Sequence, residues 1–113
     1  MKVLIISTYI LPTPPTDKEG KPSYGGIERV VWTHATELVN RGIDVTVAVT
    51  EGSVSDNDKI KIIESVKPSW TFTKDGPDIF YDRIAHRLDE FDVIHDYSNR
   101  LPTLDFDRSD KIY

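Results

Sequence analysis

An uninterrupted apolar run, Val3-Leu4-Ile5-Ile6, opens the chain and is closed by Ser7. A run without polar alternation suits a strand buried on both faces, as in a parallel sheet covered by helices. Residues 8–24 then carry Pro12, Pro14, Pro15 and Pro22 as well as Gly20. Prolines at that density remove backbone donors and exclude a regular element. The prediction is a long loop, and loops of that length in compact domains are often functional. From Ile27 to Arg41 the period changes. Ile27, Val30, Val31, Ala35, Leu38 and Val39 fall at helical spacing, predicting one apolar face. Glu28 in the first turn and Arg41 in the last complement the helix dipole, and Gly42 supplies the left-handed residue that commonly ends a helix. Ile43 to Thr50 alternates Val45, Val47 and Val49 with Asp44, Thr46 and Ala48, which reads as a second strand. A right-handed crossover places it beside the first.

A polar turn over residues 51–58 follows, and Ile60, Ile62 and Ile63 mark a third strand. Pro68 to Gly76 reads as a loop containing Trp70 and Phe72. Pro77 suits the first turn of a second helix, whose Phe80, Ile84, Leu88 and Phe91 recur at intervals of four, four and three. Phe91-Asp92-Val93-Ile94-His95 reads as a fourth strand, Asp96 to Pro102 as its exit loop, and Lys111-Ile112-Tyr113 as the opening of a fifth strand. The order β-α-β-β-α-β predicts the α/β class, with an open, mostly parallel, doubly wound sheet. In the common strand order the first strand lies between the second and the fourth. Ligands then bind at the carboxyl ends of the first and fourth strands, where the winding direction switches. That topology brings Gly25-Gly26 to the same crevice as Tyr97-Ser98-Asn99-Arg100.

Composition narrows the function classes. The 113 residues fit one domain, 1–113. The net charge of −5 argues against a nucleic-acid binder, which would carry a basic stripe. There is no cysteine, so disulfides and thiolate chemistry are excluded. The apolar N-terminal run is too short for a secretion signal or a membrane span, and a cytoplasmic location is the expectation.

The candidate chemistry centres on Gly25-Gly26. Two readings stand side by side. Glycines let a ligand approach the backbone closely, and the free N–H groups of the following helical turn attract phosphate. Equally, the pair serves a tight turn into the helix, and it does not match the G-x-G-x-x-G fingerprint. Glu28 is placed to line the crevice from the first turn. Arg100 suits an anionic ligand or a solvated loop. His95, ending a buried strand, reads as a hydrogen-bonded structural residue. His34 and His86 read as surface or boundary residues. Asp96 is a lone carboxylate, and one carboxylate does not make a metal site, so no metal is expected. Tyr9 and Tyr24 bracket the long loop, either facing a ligand or pinning the loop.

Several of these segments together carry a resemblance. Pro12 to Pro15, Tyr24-Gly25-Gly26-Ile27-Glu28-Arg29-Val30-Val31, Leu38-Val39-Asn40-Arg41-Gly42 and Asp44-Val45-Thr46-Val47 resemble the N-terminal domain of GT-B fold glycosyltransferases of family 4. Phe91-Asp92-Val93-Ile94-His95-Asp96 resembles the fourth-strand segment of the same family. The resemblance implies a Rossmann-like domain, half of a GT-B architecture, on the acceptor side of the enzyme. It also implies a nucleotide-sugar as donor substrate, with no cofactor, and a sugar or other hydroxyl compound as acceptor. By the same resemblance Gly25 and Gly26 close over the donor diphosphate, and Glu28, Tyr97, Ser98, Asn99 and Arg100 complete the binding set. Two departures stand out. The family's donor-binding domain has no counterpart here, so a donor-binding domain or partner chain is expected to complete a site that is inactive alone. Second, Tyr97 stands where family members often have a histidine that reaches the donor sugar. A tyrosine donates a hydrogen bond but is a poor general base near neutral pH, which leaves the catalytic residue unassigned, with Tyr97 the candidate. Two other function classes fit the residues: a stand-alone module binding a nucleotide or phosphorylated ligand, and a regulatory or interaction subunit.

Overall fold

The computed structural model describes residues 1–15, 18–19, 21, 25–53, 55, 57–70 and 76–97, with residues 76–78 described by backbone. Four strands, β1 (Lys2–Ile6), β2 (Asp44–Val49), β3 (Ile60–Glu64) and β4 (Val93–Asp96), form one sheet in the order β3-β2-β1-β4. All three pairings are parallel, with Ile5 opposite both Val47 and His95. The apolar run of β1 is central and buried on both sides, as its lack of alternation predicts. Val3 and Ile5 point to one core layer, and Leu4 and Ile6 to the other. The sheet is thus a Rossmann-like doubly wound arrangement with its switch point between β1 and β4. The expected fifth strand at Lys111-Ile112-Tyr113 lies outside the described residues.

Helix α1 (Gly26–Asn40) covers the Val3–Ile5 layer. Val31, Ala35 and Val39 recur every four residues and seat it on the sheet, with Trp32 buried beside them. The predicted single apolar face needs correction here. Ile27 and Val30 are 39% and 53% exposed. At 100° per residue they fall on a flank of the helix rather than on the arc that meets the sheet. The C-terminus closes as predicted. Gly42 has φ +82°. Its N–H donates to Val39 O and that of Ile43 to Leu38 O, at 3.0 and 3.1 Å, the paired bonds of a Schellman end. Arg41 is the cap residue rather than part of the last turn.

The second helical region is not one helix. Helix α2 (Gly76–Ile84) passes into a 3₁₀ helix over Ala85–Glu90. Phe80 and Ile84 fall one α-helical turn apart, and Leu88 to Phe91 is one 3₁₀ interval. All four are buried on the Leu4–Ile6 layer. Phe91 therefore belongs to the helix exit, not to β4, and β4 begins two residues later. Asp92 ties this exit to β1: its N–H donates to Lys2 O, and its carboxylate accepts from the Lys2 N–H, each at 2.8 Å.

The long loop after β1 forms no helix or strand among the described residues, and it is anchored on two sides. Buried hydroxyls hold its first half. Ser7 Oγ and Thr13 Oγ1 share a 2.7 Å bond, the Thr13 N–H donates to Ser53 Oγ, and Thr50 Oγ1 donates to Leu11 O. On the other side Ser69 and Trp70 N–H groups donate to Tyr9 O and Ile10 O. Tyr9 itself is buried in the core, which assigns it to pinning the loop.

Candidate functional site

Because β1 and β4 are parallel, their carboxyl ends share one edge of the sheet. The chain leaving β1 at Ser7-Thr8 returns to the same edge at Gly25, where α1 begins. Glu28 fixes that return. It is a 5% exposed carboxylate in the first turn of α1, and Thr8 Oγ1 donates a hydrogen bond to its Oε2. The Ile10 N–H donates in turn to Thr8 Oγ1 at 3.4 Å. A carboxylate there sits at the favourable end of the helix dipole. The sequence places Glu28 at this end of the helix. Thr8, which orients it, has no signal of its own, being one hydroxyl in a loop.

Gly25 is buried and extended, with φ −155°, so its conformation is open to any residue. Space is what restricts it. A Cβ built on Gly25 would meet Glu28 Oε1 at 2.7 Å, Pro15 Cβ at 2.8 Å and Leu11 Cδ1 at 3.0 Å. The close approach at this glycine is made by the chain's own loop and first helical turn. Gly26 is exposed at the first position of α1. Tyr24, Ser98, Asn99 and Arg100 lie outside the described residues.

Tyr97 continues the ladder beyond β4, its N–H donating to Ile6 O at 2.8 Å. Alternation along β4 then puts Val93, His95 and Tyr97 on the α1 side of the sheet. The Tyr97 hydroxyl is engaged by α1: it shares a 3.1 Å hydrogen bond with His34 Nδ1. The His95 ring meets His34 edge to face, with centroids 4.8 Å apart. His34, which the sequence assigns to the surface or the boundary, is half-buried and joins this corner through Tyr97 and His95. An open groove of about 510 Å³ runs beside it, lined by Arg29, Val30, Thr33, His34, Glu37 and Tyr97. His86 is exposed, and among the described residues no group of three or more His, Asp or Glu side chains could hold a metal.

Partial burial pushes the His34 pKa below its usual 6.5, and the charge of a protonated His95 pushes it the same way. A histidine with a lowered folded-state pKa costs nothing above its unfolded value, where both states are neutral. Its stabilisation is lost as pH falls from about 6.5 through the folded value, because the unfolded chain takes up the proton first. Wild type should therefore lose more thermal stability between pH 7.5 and 5.5 than H34Q does. Parallel melting curves for the two proteins over that range would refute the assignment.

A parallel sheet with a helix N-terminus and a tyrosine at its switch point defines a Rossmann-like α/β domain, a class that places its ligands at the strand ends. A family model described as Glycosyltransferase Family 4 matches residues 24–104, well over half of the chain, and the chain belongs to that family. The match begins at Tyr24 and runs through α1 and β4. No curated protein sequence matches the chain. Membership assigns it a glycosyltransferase-related role. No helix among the described residues is long and apolar enough to cross a membrane.

Proposed function

We propose that this chain is the acceptor-side half of a GT-B glycosyltransferase, moving a sugar from a nucleotide-sugar to a hydroxyl acceptor, and that it is inactive without a donor-binding domain or partner chain. The observation that carries the reading is the shared edge of the sheet. The first turn of α1, with Gly25, Gly26 and Glu28, and the residue after β4, Tyr97, stand at the carboxyl ends of neighbouring strands. In this reading the N–H groups opening α1 face the donor diphosphate, with help from the dipole. Ser98, Asn99 and Arg100, which the family resemblance adds to the binding set, follow Tyr97 in sequence. The buried Glu28 holds the loop exit to the helix through Thr8. The phenol of Tyr97, bonded to His34, is a hydrogen-bond donor or acceptor at the crevice rather than a general base.

Assays of the isolated chain with a panel of nucleotide-sugars test this. Neither donor hydrolysis nor transfer is expected above the uncatalysed background, with nucleotide affinity weaker than about 1 mM, since one wall of a two-domain site loses most of its contacts. Turnover by the chain alone would overturn the half-enzyme reading. Low-micromolar nucleotide binding without turnover would favour a stand-alone binding module in its place.

A further inference from the structure

The flank of α1 that faces away from the sheet carries exposed apolar and charged side chains. Val30 is 53% exposed, and with Arg29, Thr33 and Glu37 it lines the open groove beside Tyr97. Arg29 has no ion-pair partner among the described residues. Glu37 pairs only with Arg41, at 3.4 Å, with both side chains more than 60% exposed. A pair so open to water contributes little and is readily exchanged.

The charges on this flank are arranged symmetrically. Arg29 stands four residues before Thr33 and Glu37 four residues after it. A second α1 laid antiparallel across Thr33 brings each Arg29 opposite the Glu37 of the other copy. One two-fold axis thus satisfies both charges twice, the condition for an isologous interface. Thr33, a small side chain, sits at the crossing point and allows close approach. Val30 covers the segment of the other helix around Thr33, removing its exposed apolar surface from water. A parallel arrangement in the same register would set Arg29 against Arg29 and Glu37 against Glu37.

We propose that this flank of α1 is a docking surface for a second copy of the chain, forming an antiparallel α1–α1 homodimer closed by two Arg29–Glu37 pairs. One helix flank buries less than the roughly 800 Å² per partner of a standard interface. Association should therefore be weak, with a dissociation constant on the order of 100 μM. The proposal does not require sugar transfer, although the groove it covers is the one that borders Tyr97.

Sedimentation equilibrium from about 5 μM to about 1 mM spans the monomer and dimer regimes expected for that constant. V30E should leave only monomer. R29E and E37K, each of which turns two attractions into two repulsions, should weaken dimerisation about tenfold. The double variant R29E/E37K reverses both charges and should recover to within about threefold of wild type. Circular dichroism of each variant guards against misfolding, and all three positions are exposed. A chain that stays monomeric to 1 mM would overturn the proposal. So would a dimer indifferent to V30E, or one that the double reversal fails to restore.

Discussion

Truncating Phe80 to alanine should destabilise the domain by about 3–5 kcal/mol, the usual loss for a large buried aromatic. Phe80 is 0% exposed and packs with Leu4, Ile6, Ile84, Leu88 and Ile94 beneath the sheet. Its carbonyl also accepts a 3.0 Å hydrogen bond from Ser65 Oγ, which follows β3. The site has little freedom to collapse after truncation. Rigid β1 and β4 residues form one side, and Ile84 and Leu88 are held by the passage from α to 3₁₀ helix on the other. Against a typical total of about 5–15 kcal/mol, a loss of this size removes much of the stability. Urea unfolding should show a lower midpoint with an unchanged slope, and the melting temperature should fall by at least about 10 °C. F80L, which keeps most of the volume, should cost less than half as much. A loss under about 1 kcal/mol for F80A would mean that α2 is not seated on the sheet as described. The variant also tests how the site is assembled, because the α2 layer carries the chain into β4 and so places Tyr97.

The strand order was legible because each strand announces its surroundings. The unbroken Val3–Ile6 run can only be central, and Gly42 leaves just enough chain after α1 to lay β2 beside it. Parallel register then follows from the crossover connections. Periodicity misled in two places, for reasons specific to those segments. Ile27 and Val30 share the helical spacing of core residues, but spacing fixes a relative angle and not which arc meets the sheet. The arc was set by Val31, Ala35 and Val39, with Trp32 beside them. Phe91 looked like the first residue of β4 because it is apolar and adjoins Val93-Ile94. Its partner is Leu88 one 3₁₀ turn earlier, and an interval of three within a series of fours was the available signal.

The candidate site was less legible, because its organisation depends on pairs that are distant in sequence and individually ordinary. Thr8 meets Glu28, and His34 meets Tyr97 and His95, only after β1, α1 and β4 have assembled. Nothing local marks a threonine after a strand or a histidine on a helix flank. The hydroxyl bracket of Ser7, Thr13, Thr50 and Ser53 is of the same kind: four small polar residues whose burial comes from the sheet end they share. What the sequence does mark is the glycine, since a residue without a side chain next to a proline-rich loop signals close approach. It does not say what approaches.

Gly25→Ala separates the two answers to that question. If the glycine serves the fold, adding one methyl should lower stability whether or not a ligand is present. The expected loss is about 1–3 kcal/mol, the range for overpacking a filled site. Backbone strain does not enter, because φ is −155° and alanine tolerates extended backbone. The cost comes from contacts at 2.7 Å to Glu28 Oε1 and 2.8 Å to Pro15 Cβ. The carboxylate can rotate, but only by giving up the bond from Thr8. The proline ring cannot rotate at all, so the loop must move away from the start of α1. Adding Glu28→Ala to the variant should therefore recover little, since Pro15 and Leu11 still block the methyl. Thermal unfolding of G25A without ligand should show a fall of roughly 5–15 °C. An unchanged melting temperature would mean that the loop yields freely and that Gly25 is held open for a ligand instead. If stability falls as expected, the helix N-terminus owes its position to the loop packed against Gly25. Any phosphate-binding geometry at α1 would then depend on Pro15, Leu11 and Thr8 as much as on the glycine itself.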